Sequence, residues 1–225
     1  MLRVDGVRVI IKGFVILRGV SFDVPSGGLI GLVGRNGAGK TTTLKSIVGI
    51  LPPAAGSISL DGTNLRSVPG HRRAQLGIGY MPEDRRLIGT LTVEDNILMP
   101  AWASKLAAAE ERLSYIYQVM PDVGTMAGRR ASALSGGQQK MVALARALMS
   151  GTKLLLLDEP FEGLSPAIGE KLAATIRQLQ KDGISVLMAE SDLKRISFAE
   201  TIYTIERGEI VQQPSPKEGA PWGSP

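Results

Sequence analysis

Apolar and polar positions alternate at the start of the chain. Val4, Val7 and Val9, then Val20, Phe22 and Val24, predict short, half-buried, antiparallel strands. Leu29–Val33 is instead a continuous apolar run, the pattern of a strand covered on both faces. It leads into a glycine-rich stretch, and residues 41–50 then read as a helix that Pro52 and Pro53 stop. Residues 57–60 with Asp61-Gly62 predict a strand and a turn, and Ile78–Met81 a further short strand. Thr92 is a cap for a helix beginning at Val93, with Glu94 and Asp95 suited to its first turn. Helical patterning continues through residues 101–120, so residues 87–133 read as a helical subdomain inserted in a larger domain.

The second half alternates strands and helices. Residues 137–149 are helical, and residues 154–157 form an apolar strand that ends at Asp158 and Glu159. Ser165-Pro166 marks a helix start with proline in its first position. Residues 185–189 predict another strand, and residues 202–205 with Ile210 and Val211 a hairpin around Arg207-Gly208. This rhythm implies an α/β fold: a mostly parallel sheet flanked by helices, with an N-terminal antiparallel β subdomain and the inserted helices. One domain is expected over residues 1–211, followed by a disordered tail at 212–225, which is rich in Pro, Gly and Ser.

Composition narrows the classes. The 225 residues, 44% hydrophobic and 21% charged, suit one large globular domain. The net charge of +5 is scattered, with pairs at Arg72-Arg73, Arg85-Arg86 and Arg129-Arg130. Without a basic block or an aromatic-interleaved stripe, nucleic acid is not an expected partner. The absence of cysteine excludes disulfides and thiolate chemistry and fits a reducing compartment. No apolar run approaches the roughly 18 residues of a spanning helix. The only histidine, His71, has no partner pattern and reads as a surface residue.

Gly34-Arg35-Asn36-Gly37-Ala38-Gly39-Lys40-Thr41 fits the pattern of a phosphate-binding P-loop, placed between an apolar strand and a helix. Glycines let successive amide N–H groups wrap a phosphate, and the helix N-terminus adds partial positive charge. Lys40 is expected to reach the β- and γ-phosphates, and the Thr41 hydroxyl to ligate Mg²⁺, with Thr42 next to it. Asp158 and Glu159 close a buried strand whose end lies near such a loop. Asp158 is the expected Mg²⁺ partner and Glu159 the base that polarises the attacking water. These segments alone indicate a nucleoside triphosphatase without naming the kind.

Leu134-Ser135-Gly136-Gly137-Gln138-Gln139 stands between the two. Ser135 and the Gly136 and Gly137 amides start a helix and form a second anion grip. With this segment the chain resembles the ATP-binding cassette (ABC) family, whose signature it matches, over nearly its whole length. The resemblance implies a P-loop fold of ABC type, with ATP and Mg²⁺ as ligands. It implies a head-to-tail pair of ATPase chains, identical or related, in which Ser135–Gln138 of one chain grip the γ-phosphate held by the other. It places Glu83 at the glutamine-loop position, within reach of Mg²⁺. Phe161-Glu162-Gly163-Leu164-Ser165-Pro166 resembles the dimer-contacting loop after the acidic strand. Phe14 is the nearest aromatic candidate for stacking on adenine, with Ile11 as the alternative by register. Ser191 occupies the position where the family usually has a histidine touching the γ-phosphate, so slower hydrolysis is expected.

The stretch between Lys40 and Ser135 is too short for the coiled-coil arm of chromosome-maintenance relatives, and there is no second phosphate loop. Tyr80-Met81-Pro82-Glu83-Asp84-Arg85-Arg86 resembles the shorter ATPase subunit of branched-chain amino-acid importers, with Asp84 in place of glycine. Urea and amide importers share the pattern. Arg85 and Arg86 either contact the permease or phosphate or form a solvated face. The implied partners are transmembrane permease subunits and, indirectly, a periplasmic solute-binding protein. The implied place is the cytoplasm, peripheral on the inner face of the membrane. A regulatory ABC ATPase outside transport is the alternative class.

Overall fold

The structure, a computed structural model, describes residues 1–212, so the expected tail lies outside the described residues from 213 onward. In chain order the first elements are β1 (Leu2–Ile11), β2 (Phe14–Val24), β3 (Leu29–Val33), α1 (Lys40–Val48), β4 (Ala55–Leu60), β5 (Thr63–Asn64) and β6 (Ile78–Met81). The helices α2 (Val93–Ser104), α3 (Ala109–Val119), α4 (Pro121–Gly124) and α5 (Gly136–Ser150) follow. Then come β7 (Leu154–Asp158), α6 (Pro166–Lys181), β8 (Ser185–Glu190), β9 (Thr201–Glu206) and β10 (Glu209–Gln212).

The first sheet is antiparallel, in the order β2-β1-β4-β5. Its first two strands are 10 and 11 residues long, not short as the spacing suggested. Val4 and Val7 are an odd number of residues apart, yet both are buried. The pairing resolves this: the register slips between them, and the Gly6 N–H bonds instead to Ser21 Oγ at 2.8 Å. The extra residue returns the next valine to the covered face.

The second sheet has the order β10-β9-β3-β8-β7-β6 and is parallel except for β10. It separates two cores. Leu154 and Leu156 face the first sheet and α1, whereas Leu155 and Leu157 face α2, α3, α5 and α6. Neighbouring β8 divides in the same way, with Leu187 and Ala189 on one side and Val186 and Met188 on the other. A strand with two covered faces needs apolar side chains at both parities, which is why these stretches read as unbroken runs.

Thr92 caps α2 through a reciprocal pair. The Asp95 N–H donates to Thr92 Oγ1 at 3.0 Å, and the Thr92 N–H to Asp95 Oδ2 at 3.2 Å. Helix does not continue through residues 101–120. It ends at Ser104, and Lys105 and Ala108 adopt left-handed conformations before α3 restarts at Ala109. The break lets Val93, Ile97 and Ala101 of α2 and Leu113 and Ile116 of α3 face one core, whereas one straight helix would turn the two sets to different sides. The C-terminus of α1 is held by a buried cation. Arg73 donates to the carbonyls of Ser46, Ile47, Leu65 and Val68 at 3.0, 2.6, 2.6 and 3.1 Å. Among the described residues no helix is long and apolar enough to cross a membrane.

Candidate nucleotide site

The phosphate loop joins β3 to α1 and is braced from behind by the β9–β10 hairpin. Gly39 precedes α1 with φ +115°, open to glycine at little cost. Gly208, at the hairpin turn, donates its N–H to Ala38 O at 2.9 Å and accepts from the Arg18 N–H at 2.8 Å. A Cβ on Gly208 would stand 2.0 Å from Ile16 O, so only glycine permits this approach.

Lys40 is buried, and its ammonium donates to Gly34 O at 2.7 Å and Arg35 O at 3.4 Å. The same Nζ stands 3.1 Å from Glu159 Oε1. That oxygen makes no hydrogen bond, so the contact is one of charge. The Thr41 hydroxyl donates to Asp158 Oδ1 at 3.0 Å. A cleft of about 430 Å³ is lined by Asn36, Gly37, Gly39, Lys40, Thr41, Thr42, Glu83 and Glu159, together with Ile16. A second groove, of about 650 Å³, shares Thr41 and Glu83, reaches Asp158, and continues past Tyr80 to Met99 and Pro100.

Asp158 is fully buried at the end of β7. Burial raises its carboxyl above the ordinary value, opposed by the Thr41 and Tyr80 hydroxyls and reinforced by Glu83 and Glu159. Tyr80 donates to Asp158 Oδ2 at 3.2 Å. This second hydroxyl was visible beside Glu83 in the sequence but carried no signal of its role. The donors around the cleft are hard oxygens from Thr41, Asp158 and Glu83, which suit Mg²⁺. Thr41 gives its proton to Asp158 and keeps its lone pairs for a cation. Few protein ligands are needed, because Mg²⁺ usually keeps waters and phosphate oxygens.

Glu159 follows with φ +46°, a left-handed conformation that costs a non-glycine residue energy. Its Oε2 accepts from both the N–H and the hydroxyl of Ser191, each at 3.2 Å. Ser191 thus holds Glu159. Burial alone would raise the Glu159 carboxyl, but contact with Glu190, the Lys40 ammonium and the Ser191 N–H hold it below its ordinary value. Glu190 is wholly buried and pushed up to about 8, first by burial and then by the neighbouring Glu159. Its Oε1 accepts from the Phe161 N–H at 2.8 Å, and its Oε2 from Arg195 at 3.3 Å.

Ser135 caps α5. Gln138 N–H donates to Ser135 Oγ at 3.3 Å, and Ser135 N–H to Gln138 Oε1 at 3.0 Å. None of Ser135, Gly136, Gly137 or Gln138 lines the phosphate-loop cleft of its own chain. Phe14 is not among the residues that line that cleft either. It is 74% exposed at the start of β2, and Ile16 lines the cleft. The pairing of β1 with β2 passes from Val9–Leu17 to Ile10–Val15, leaving Ile16 out of the ladder. His71 is exposed. Arg85 is partly buried rather than solvated, donating to Gly136 O at 3.2 Å and Gln139 Oε1 at 3.1 Å. Arg86 is exposed and pairs with Asp84 at 2.9 Å. Both arginines are left-handed, and Arg146 on α5 donates to both of their carbonyls.

The family described as ABC transporter matches residues 17–162. The high-affinity branched-chain amino acid transport ATP-binding protein BraG of Pseudomonas aeruginosa is 36% identical over 196 residues, 87% of this chain and 84% of BraG. The lipopolysaccharide export system ATP-binding protein LptB of Escherichia coli is 34% identical over 210 residues, 92% of this chain and 87% of LptB. A solved ATP-binding subunit of an ABC transporter superposes with a TM-score of 0.83 at 26% identity, covering 96% of this chain and 90% of that one. The dimeric cassette MJ0796, solved with ADP and Pi, shares the fold at a TM-score of 0.84 and 24% identity, covering 98% of this chain and 100% of that one. A loop built for phosphate, an acidic strand end beside it and a capped signature helix thus occur in a chain that belongs to the ABC transporter family and is an ATP-binding cassette ATPase.

Proposed function

We propose that the chain is the ATPase subunit of an importer of branched-chain amino acids. The observation that carries this is the 36% identity to BraG across most of both chains, joined to the segment Pro82-Glu83-Asp84-Arg85-Arg86. Export is the second reading, favoured by the 34% identity to LptB over a slightly larger share of this chain.

In this reading the loop 34–41 wraps the β- and γ-phosphates, and Lys40 exchanges the carbonyls of Gly34 and Arg35 for phosphate oxygens. Mg²⁺ bound with ATP supplies charge neutralisation, held by Thr41, Asp158 and Glu83. As Lys40 turns to phosphate, Glu159 loses a cation that depresses its carboxyl, and its basicity rises. Ser191 keeps the freed carboxylate aimed, and Glu159 takes the proton of the attacking water. Ser135–Gln138, remote from their own cleft, serve the nucleotide of a second ATPase chain. Closure of that pair drives permease subunits, which dock the chain on the cytoplasmic face of the membrane, and a periplasmic solute-binding protein delivers the cargo.

The test is reconstitution with the cognate permease in proteoliposomes. ATP-driven leucine uptake is expected, with Glu159→Gln lowering ATP turnover by about 100-fold or more. Turnover unaffected by Glu159→Gln removes the base, and outward lipid transport without leucine uptake replaces import by export.

A further inference from the structure

Lys140 is a buried lysine on α5, and the hydrolytic scheme does not use it. Its ammonium donates to the main-chain carbonyl of Glu159. Among the described residues no carboxylate lies within ion-pairing distance of it. Burying an ammonium is expensive, and one peptide carbonyl repays that poorly in stability alone. Methionine of similar length would fill the same space without the penalty.

The carbonyl it holds belongs to the residue whose direction matters most. Glu159 is in a left-handed conformation, which persists only where its surroundings over-determine it. Its N–H is tied to Ala189 O at 2.9 Å, and its carbonyl also accepts the Glu162 N–H at 3.3 Å. Lys140 adds a side-chain anchor to that peptide from a different layer of the protein. A twist of this peptide would swing the carboxylate away from Ser191.

The other end of the linkage is the signature. Ser135 caps the helix on which Lys140 sits, and a helix of this rise places Lys140 only about 6 Å along the axis from Gly136. A displacement at the Gly136 amides is therefore carried to the ammonium by an almost rigid rod.

We propose that Lys140 is a positioning residue that couples the signature helix to the catalytic base of the same chain, so that nucleotide gripped by this chain's signature on the opposite subunit aligns Glu159 in this chain's own site. The inference rests on the reading of Glu159 as base and of the signature as serving a second chain. Burial lowers the Lys140 amine below its ordinary value, with Glu190, Glu162 and Glu159 opposing that shift and Arg85 adding to it.

The experiment uses the assembled transporter, with Lys140→Met, Lys140→Arg, Glu159→Gln and the double variant Lys140→Met/Glu159→Gln. Lys140→Met is expected to lower kcat by about 10- to 100-fold, as a small misplacement of a catalytic group does, with KM for ATP within about twofold. Its Hill coefficient for ATP should fall relative to wild type, and Lys140→Arg, which keeps charge and donor, should recover most of the turnover. The double variant should lose no more turnover than Glu159→Gln alone. Wild-type kcat and Hill coefficient in Lys140→Met overturn the coupling while Glu159→Gln still reports on the base. Additive losses in the double variant also overturn it, as does a kcat loss that arginine fails to rescue. If Lys140→Met does not fold, Lys140→Gln carries the same comparison. Wild-type turnover in Glu159→Gln would instead remove the base reading on which the proposal stands.

Discussion

Arg73 lies far along the chain from the phosphate loop, yet it holds the distal end of the helix that carries Lys40 and Thr41. Replacing it with methionine removes four donors from four carbonyls, two of them in the last turn of α1. Charge-assisted hydrogen bonds contribute about 1.5 kcal/mol each at the low end, or roughly 6 kcal/mol together. Against this, methionine avoids the several kcal/mol of desolvation that the buried guanidinium suffers. The net loss expected is about 2–4 kcal/mol, within the range seen when a buried network is broken. At about 2–4 °C per kcal/mol for a domain of this size, the melting temperature should fall by roughly 4–16 °C. Arg73→Lys is the control: it keeps the charge and loses the planar fork, so it should lose nearly as much. Thermal unfolding by circular dichroism reads the shift, and ATP binding well below the transition should also weaken as α1 frays. A fall of less than about 2 °C in both variants would refute the view that this fork holds α1.

Two further outcomes follow from the same geometry. Gly208→Ala places a methyl against Ile16 O at a left-handed position, so it should cost about 1–3 kcal/mol in urea unfolding and raise KM for ATP; an unchanged KM would separate the hairpin from the loop it braces. Glu190, raised from 4.5 to about 8, keeps in the folded state a proton that the unfolded chain gives up. Its contribution to stability is complete below pH 4.5 and is lost as pH rises through about 8, so wild type should lose urea resistance across that window more steeply than Glu190→Gln. Parallel curves for the two proteins would show that no such proton is held.

The strand–helix rhythm was legible because parallel strands covered on both faces must be apolar throughout, as residues 154–157 are. The phosphate loop and Asp158-Glu159 were legible because their residue types answer local demands: wrapped backbone, a cation, paired oxygens. The break at Lys105–Ala108 was not, because alanine, leucine and lysine all favour helix, and the need for both α2 and α3 to face one core overrode them. The slip in strand register that leaves Ile16 out of the ladder is something composition does not encode. Lys140 did leave a trace. With Ala143, Leu144, Ala147 and Leu148 it occupies the buried stripe of α5, and a charge in that stripe is a signal for a buried polar contact.

The wall formed by the second sheet bears on how such a chain can change. Side chains of opposite parity on β7 and β8 never share a core, so volume lost on the helical face need not be recovered on the face that supports α1. Helices α3 and α4, which line neither the phosphate-loop cleft nor the adjoining groove, can therefore be repacked by successive substitutions while the nucleotide grip stays as it is. Drift on one side of the sheet and constancy on the other can proceed within a single chain.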